Sequence, residues 1–181
     1  MKRAYLRLTE WKFKLFSASV GVLSPIPLIL SLKGSLPFVL GAGLSVVMFL
    51  VFLSYGRRSE NYRVGRVVEE QVEQVLKGCL PPDVLLKSDV KIKYGNVDFL
   101  IVDKKQVLIL EVKAGKLKGE RLKNTYDQIQ RQIREMKEIY PNKRIKALVI
   151  NTTNKSFYYR DLKIVPIKEV CHEVLGLLHT A

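Results

Sequence analysis

The fold is decided by the stretch GNVDFLIVDKKQVLILEVK, residues 95–113. It contains two runs rich in β-branched and aliphatic residues, 97–102 and 107–112, separated by four polar residues. Runs of this composition favour strands, and a short polar connection between them favours a hairpin. Because both runs are apolar at odd and even positions alike, they are typical of strands covered on two faces. The stretch therefore predicts an antiparallel hairpin inside a central sheet.

Three charged residues interrupt these strands: Asp98 in the first, and Glu111 and Lys113 at the end of the second. Residues i and i+2 of a strand point to the same face, so Glu111 and Lys113 project together. If Val102 pairs with Val107 beside the turn, the antiparallel register places Asp98 opposite Glu111. The sequence therefore predicts that the three side chains meet at one corner of the sheet.

Two converging carboxylates repel each other, and their burial is costly unless a cation neutralises them. Oxygen ligands in an incomplete protein shell suit Mg²⁺ or Mn²⁺. Such an ion activates a bound water and stabilises charge on a leaving oxygen, and Lys113 would orient that water or stabilise the transition state. A surface ion pair between Glu111 and Lys113 is the alternative explanation of the same pattern.

Hydrophobic periodicity and turn residues predict the other elements around the hairpin. Helices are expected at 60–76, 121–139 and 168–178, and strands at 84–92, 145–151 and 162–165. The turn before the hairpin falls at Tyr94-Gly95-Asn96. The helix at 121–139 is a crossover, so the strand after it is expected to pair in parallel. The predicted order is α-β-β-β-α-β-β-α.

The spacing of Asp98 and Glu111-x-Lys113 behind a helix resembles the PD-(D/E)XK nucleases, whose core is αβββαβ. More narrowly, residues 60 to about 150 resemble the nuclease-related domain (NERD) family. The residues that carry this resemblance are Gly65 and Glu69, Asp98, Glu111 and Lys113, Gly115, and Asn124 with Gln128. The chain departs from the family pattern at Val97, Ala114 and Thr125.

The resemblance implies a catalytic set of Asp98, Glu111, Lys113, Glu69 and Gln128. It implies that Glu69 and the backbone carbonyl of Val112 join Asp98 and Glu111 around the metal, with Gln128 lining the site. Glu70 and Glu73 compete with Glu69 on helical spacing. The implied activity is Mg²⁺- or Mn²⁺-dependent hydrolysis of DNA phosphodiester bonds. A non-catalytic module of the same fold, binding nucleic acid or protein at the membrane surface, is the alternative.

An N-terminal membrane anchor is predicted from two apolar runs, 15–32 and 36–55, with Lys33 as the only charged residue of 15–56. A spanning helix needs about 20 apolar residues, so each run is long enough to cross a bilayer. The short connection requires two antiparallel helices, with 1–56 as anchor and 57–181 as nuclease-like domain. A cleaved signal peptide or a buried core hairpin are the alternatives.

Basic residues favour one orientation of this hairpin. Nine flank its outer ends: Lys2, Arg3, Arg7, Lys12, Lys14, Arg57, Arg58, Arg63 and Arg66. Because cytoplasmic flanks carry the excess of Lys and Arg, both termini and the nuclease-like domain are expected on the cytoplasmic side of the cell membrane.

The formal net charge of +14 favours polyanions. The expected partners are the DNA phosphate backbone and the lipid bilayer, with a second copy of the chain or another membrane protein also possible. A structural protein whose charge serves anionic lipid is a third reading. Cys79 and Cys171 lie far apart without a CxxC pattern. Neither a disulfide nor a zinc site is expected from them, and a reducing compartment fits.

Overall fold

The computed structural model describes residues 2–35, 37–93, 95–153 and 155–179, with the backbone alone for residues 2–6. Tyr94 of the predicted turn and Leu36 of the predicted second span lie outside the described residues. The chain forms two compact units, one up to Arg66 and the other from Val67 onward. The predicted division after residue 56 rests on composition and stays a prediction.

The first unit is built from helices α1 (Lys2–Leu23), α2 (Ile26–Leu32) and the first part of α3 (Phe38–Cys79). Pro25 separates α1 from α2, because a proline inside a helix removes a backbone hydrogen bond. Helices α2 and α3 approach closely at Gly41, where a Cβ atom would lie 1.6 Å from Ser31 Oγ. Glycine is thus required at this contact.

Two helical segments, Arg7–Leu32 and Phe38–Cys79, are long and apolar enough to cross a membrane. Only 11% and 6% of their apolar windows is buried inside the protein, unlike the core helix of a soluble domain. A signal sequence passes the same test of length and composition near an N-terminus. The pair suggests membrane association, and the sidedness stays a prediction.

The second unit contains a six-stranded mixed sheet of order β1-β2-β3-β4-β6-β5. Its strands are β1 (Leu85–Ile92), β2 (Gly95–Val102), β3 (Gln106–Lys113), β4 (Arg144–Asn151), β5 (Phe157–Tyr159) and β6 (Leu162–Pro166). Helix α4 (Gly119–Ile139) connects β3 to β4, which pair in parallel, and a short 3-10 turn (Ile167–Glu169) leads into α5 (Val170–His179). The predicted hairpin is β2 and β3, and the β5 strand was not predicted.

Helices cover both faces of this sheet, so the second unit has three layers. On one face, residues of α3 and α5 such as Val72 and Val174 pack against Phe99 of β2 and Leu110 of β3. On the other face, Met136 of α4 belongs to a cluster with residues of β2 and β3. The mixed α/β architecture fits a nuclease-like fold.

One helix replaces the predicted second span and first domain helix. The sequence analysis separates an apolar run ending at residue 55 from a helix beginning at 60, whereas α3 is continuous from Phe38 to Cys79. Four intervening residues change the polarity of the helix surface without breaking its backbone hydrogen bonds: Gly56, Arg57, Arg58 and Ser59. None of them is proline, so the helix continues.

The expectation that the cysteines form no disulfide is wrong, because Cys79 and Cys171 are bonded to each other. Cys79 ends α3 and Cys171 lies in the first turn of α5, and both helices cover the same face of the sheet. The fold therefore brings together residues 92 positions apart in sequence, which no spacing motif shows. The expectation of a reducing compartment depended on two free thiols. Because both are in the disulfide, the structure does not support that expectation.

Candidate active site

The pairing of β2 with β3 sets the positions of Asp98 and Glu111. Val102 pairs with Val107 and Phe99 with Leu110, and the next pair in this register is Asp98 with Glu111. Asp98 Oδ2 accepts a hydrogen bond of 2.8 Å from the Val112 backbone N–H. The two residues are 5% and 3% exposed. Two acidic side chains are thus buried at neighbouring positions on adjacent strands.

Lys113 lies at the end of β3 beside this pair. Its Nζ donates to Glu111 Oε1 at 2.7 Å and to Gln128 Oε1 of α4 at 3.3 Å. Gln128 Nε2 in turn donates to Glu111 Oε1 at 2.9 Å. The structure therefore brings together Asp98, Glu111, Lys113 and Gln128, four of the residues that the sequence analysis singles out.

Burial raises the pKa of Glu111 above its ordinary value, and the negative charge of Asp98 raises this pKa further. The ammonium of Lys113 and the amide of Gln128 act in the opposite direction but do not cancel the shift. The ionised pair is consequently unfavourable in this environment. Additional positive charge at the two carboxylates would relieve that cost.

The two remaining site predictions, Glu69 and the Val112 carbonyl, stay predictions. Glu69 is half-buried on α3, and the N–H of Val112 is the group that contacts Asp98. Among the described residues, no group of three or more His, Cys, Asp or Glu side chains is arranged to hold a metal ion. Asp98 and Glu111 are the two acidic side chains that the structure places at neighbouring positions of the hairpin.

Gln132, one helical turn after Gln128, was missed by the sequence analysis. Its side chain is fully buried, and its Nε2 donates to the Asn96 carbonyl at 3.0 Å and lies 3.5 Å from Glu111 Oε2. The available signal was its spacing of four from Gln128, which places both amides on one face of α4. Two amides of α4 thus face the two oxygens of Glu111.

Asn151 and Asp89 were missed as well. Asn151, at the end of β4, donates to the carbonyls of Lys113 and Gly115 at 2.7 and 2.8 Å, which holds the chain just after β3. Asp89 lies in β1 with a φ of +54°. Its neighbours Ser88 and Val90 pair with Phe99 and Val97 of β2, so Asp89 lies across from Asp98. Asp residues adopt this left-handed conformation more readily than most, and Asp89 Oδ1 accepts a hydrogen bond of 3.1 Å from the Asn96 side-chain amide at the start of β2.

A model of the nuclease-related domain family (NERD) matches residues 64–157, more than half of the chain. The chain belongs to the nuclease-related domain family. The predicted resemblance over residues 60 to about 150 is thereby confirmed as to family. The comparison with curated proteins finds no match. The NERD match extends from α3 to β5 and includes the four clustered residues together with Gln132.

Next to the NERD acidic pair, a cleft of about 490 Å³ opens at the start of α4. It is lined by Lys113, Glu120, Arg121, Asn124, Thr125 and Gln128. The Arg121 guanidinium donates to the Ala114 carbonyl at 2.7 Å, which holds the loop between β3 and α4 against this helix. The cleft thus leads from solvent to Lys113 and presents two cationic side chains.

The residues of this NERD site fit the divalent metal that the family resemblance implies. Asp98 and Glu111 supply hard carboxylate oxygens, which Mg²⁺ and Mn²⁺ prefer. Burial and the charge of Asp98 raise the pKa of Glu111 although Lys113 lies beside it, so a further cation would stabilise the ionised pair. Within the described part of the chain, the buried Oε1 of Gln132 has no hydrogen-bond partner, so the site also holds an unsatisfied acceptor. These residues are compatible with a hydrated divalent cation, and the metal itself stays a prediction.

Proposed function

We propose that this NERD protein is a membrane-anchored, Mg²⁺- or Mn²⁺-dependent nuclease that hydrolyses phosphodiester bonds of DNA. The observation that carries the proposal is the buried pair of Asp98 and Glu111 with Lys113 at 2.7 Å from Glu111, beside an open cationic cleft. Family membership supports a nuclease-related function, and the site supports the metal-dependent chemistry.

Asp98 and Glu111 would hold the ion between β2 and β3. A bound ion of this kind supplies an activated water and positive charge for the developing negative charge at phosphorus. The backbone N–H of Val112 fixes one Asp98 oxygen, so the carboxylate is oriented before substrate arrives. Preorganisation of this sort lowers the reorganisation needed during the reaction.

Lys113 is the cationic side chain that can reach the reacting phosphate. Its ammonium has three donors, and Glu111 and Gln128 each accept from it. These contacts hold Nζ at the mouth of the cleft, where it would orient the attacking water or stabilise the charge on a non-bridging oxygen. Arg121 and the neighbouring basic residues would bind the flanking phosphates without reading sequence.

The anchor would keep this reaction at the cytoplasmic face of the cell membrane. Support comes from the two apolar helical segments of the first unit and from the basic residues that flank them. DNA close to the membrane would then be the substrate. A second copy of the chain or another membrane protein remains a proposed partner of the anchor.

One observation favours the alternative of a non-catalytic NERD module that binds nucleic acid or protein. The Lys113 to Glu111 contact is a direct ion pair, and it partly neutralises Glu111 without any metal. If this ion pair is purely structural, Mg²⁺ and Mn²⁺ should change neither the stability of the protein nor any activity on DNA. The two functions therefore differ in their response to metal.

Plasmid cleavage by the full-length protein in detergent tests the proposal. We expect nicking or degradation with Mg²⁺ or Mn²⁺ and none with EDTA. Lys113→Ala, Asp98→Ala and Glu111→Ala should each reduce the rate by at least about a hundredfold, since each removes a group that holds the metal or stabilises the transition state. Lys137→Ala and Glu138→Ala, exposed at the other end of α4, are the controls. If the plasmid stays intact with Mg²⁺ and with Mn²⁺, the nuclease proposal fails and the non-catalytic module is favoured.

A further inference from the structure

Gln132 is the buried amide of the site to which the proposed chemistry assigns no role. It lies in the middle of α4, and its side chain is fully buried beside Glu111. Its Nε2 faces two acceptors, the Asn96 carbonyl at 3.0 Å and Glu111 Oε2 at 3.5 Å. Since an amide nitrogen only donates, these two neighbours determine which end of the side chain faces them.

The other end of the amide is unsatisfied. With Nε2 toward Asn96 and Glu111, Oε1 is buried and accepts no hydrogen bond within the described ranges. A flipped amide would place Oε1 against the Asn96 carbonyl and the Glu111 carboxylate, three acceptors together, which is worse. A buried acceptor without a donor is unfavourable and is usually explained by an absent water or ion.

The two oxygens of Glu111 are also held unequally. Oε1 accepts from Lys113 at 2.7 Å and from Gln128 at 2.9 Å. Among the residues that the structure describes, Oε2 has only the long contact of 3.5 Å to Gln132. Oε2 is therefore the oxygen whose lone pairs are more available to a cation, and Gln132 is the amide that borders it.

We infer that Gln132 is a positioning residue of the metal centre. Its N–H groups orient Glu111 Oε2 toward the cation, and its Oε1 accepts a hydrogen bond from a water bound to that cation. Mg²⁺ and Mn²⁺ keep part of their hydration shell in protein sites, so such a water is available. The inference rests on the proposed metal-dependent function and adds a residue behind the ligands.

A structural role is the competing explanation. The bond from Gln132 to the Asn96 carbonyl ties α4 to the start of β2, two residues before Asp98. If this tie were its only role, replacing Gln132 would lower the stability of the fold and leave metal binding unchanged. Metal affinity and stability must therefore be measured separately.

Calorimetric titration of the full-length protein in detergent with Mn²⁺ distinguishes the positioning role of Gln132 from a purely structural role. Gln132→Met keeps the length of the side chain and removes both the donor and the acceptor. We expect its Mn²⁺ affinity to fall by about 10- to 100-fold, the usual effect of losing a group that orients a ligand. Gln130→Met, on the same helix and in contact with neither carboxylate, should bind Mn²⁺ like the wild type.

Thermal unfolding with EDTA and with Mn²⁺ gives a second measurement. Gln132→Glu keeps size and an acceptor but adds a third carboxylate, so the shift in Tm on adding Mn²⁺ should be larger than in the wild type. This variant also tests the inference if Gln132→Met does not fold. If the only role of Gln132 is its hydrogen bond to Asn96, Gln132→Glu should have a lower Tm than the wild type in EDTA. Its shift in Tm on adding Mn²⁺ should then equal that of the wild type.

The outcomes distinguish the inference from the function on which it rests. If the wild type binds Mn²⁺ and Gln132→Met binds it equally well, or Gln132→Glu shows an unchanged shift, the inference fails and the nuclease proposal stands. If the wild type binds no Mn²⁺ by either measurement, both fail together. Weaker binding in Gln132→Met with normal binding in Gln130→Met supports the inference.

Discussion

Glu111 shows how one residue links the chemistry of the site to the stability of the fold. Burial first, and then the charge of Asp98, raise its pKa above the ordinary value near 4.5, despite Lys113 and Gln128. As pH rises through the window between the ordinary and the raised pKa, the unfolded chain releases this proton while the folded chain retains it. The folded state then binds more protons, so the stability contributed by Glu111 falls through that window and is lost above it.

Replacing this carboxylate should therefore stabilise the metal-free protein. In EDTA at neutral pH, Glu111→Gln is expected to have a higher Tm than the wild type, because repulsion from Asp98 and the cost of ionisation are removed. Its Tm should also vary less with pH just above the ordinary Glu pKa. Thermal unfolding across pH measures both effects, with Glu138→Gln as an exposed control. A lower Tm in Glu111→Gln would mean that the ion pair with Lys113 is structural.

Much of the site followed from residue spacing alone. Asp98, Glu111 and Lys113 lie on regular strands, where alternation and hairpin register determine which side chains meet. Gln132 and Asn151 did not follow in the same way, because a glutamine on a helix or an asparagine at a strand end is an ordinary surface residue until the packing of α4 and β4 is known. The carboxylates were predictable because charge within an apolar strand is rare.

At the scale of elements, the predictable parts were those with local patterns. The β2–β3 hairpin follows from its two apolar, β-branched runs and the polar turn between them, and α4 and β4 follow from hydrophobic periodicity and turn residues. The structure has all of them close to the predicted bounds. β5 has three residues and pairs only with β6, so its formation depends on a neighbour that sequence alone does not position. The continuity of α3 does not follow from the sequence pattern, because a change from apolar to charged composition resembles the end of one helix and the start of another.

The disulfide between α3 and α5 should stabilise the second unit considerably. Closing a loop of 92 positions restricts the unfolded chain, so loss of the bond is expected to lower the free energy of unfolding by about 2–5 kcal/mol. Urea denaturation of wild type with and without reductant, and of the Cys79→Ser/Cys171→Ser variant, measures this. Reductant should leave the double variant unchanged. Equal stability of oxidised and reduced wild type would show that the bond contributes nothing.

At the scale of the whole molecule, the net charge of +14 predicts how the proposed binding to DNA should respond to salt. Phosphate contacts release counterions, so affinity should fall steeply with salt and depend little on sequence. Six basic residues lie on or next to the elements that flank the proposed site: Lys91, Lys93, Lys116, Lys118, Arg121 and Lys123. Binding measured in EDTA at several salt concentrations tests this without cleavage.

The exposed loop residues Lys116 and Lys118 allow a quantitative form of the same test. Lys116→Gln/Lys118→Gln should reduce the slope of log affinity against log salt by about two, since each phosphate contact contributes about 0.9. Lys137→Gln, at the far end of α4, should leave the slope unchanged. An affinity that stays constant between low and physiological salt would favour a protein partner.

The proposed anchor and its orientation can be tested in intact cells with a membrane-impermeant thiol reagent. Ser35 lies in the connection between the two apolar segments, and Asn61 is exposed on α3 beyond the second. We expect Ser35→Cys to be labelled from outside and Asn61→Cys only after the cells are opened, because the basic flanks favour the cytoplasm.

Asn61 is preferred to its neighbour Ser59, which is only 3% exposed. The unaltered chain, with Cys79 and Cys171 paired, is the background control. Labelling of Asn61→Cys in intact cells would place the nuclease-like unit outside, where the disulfide would persist but DNA inside the cell would be out of reach.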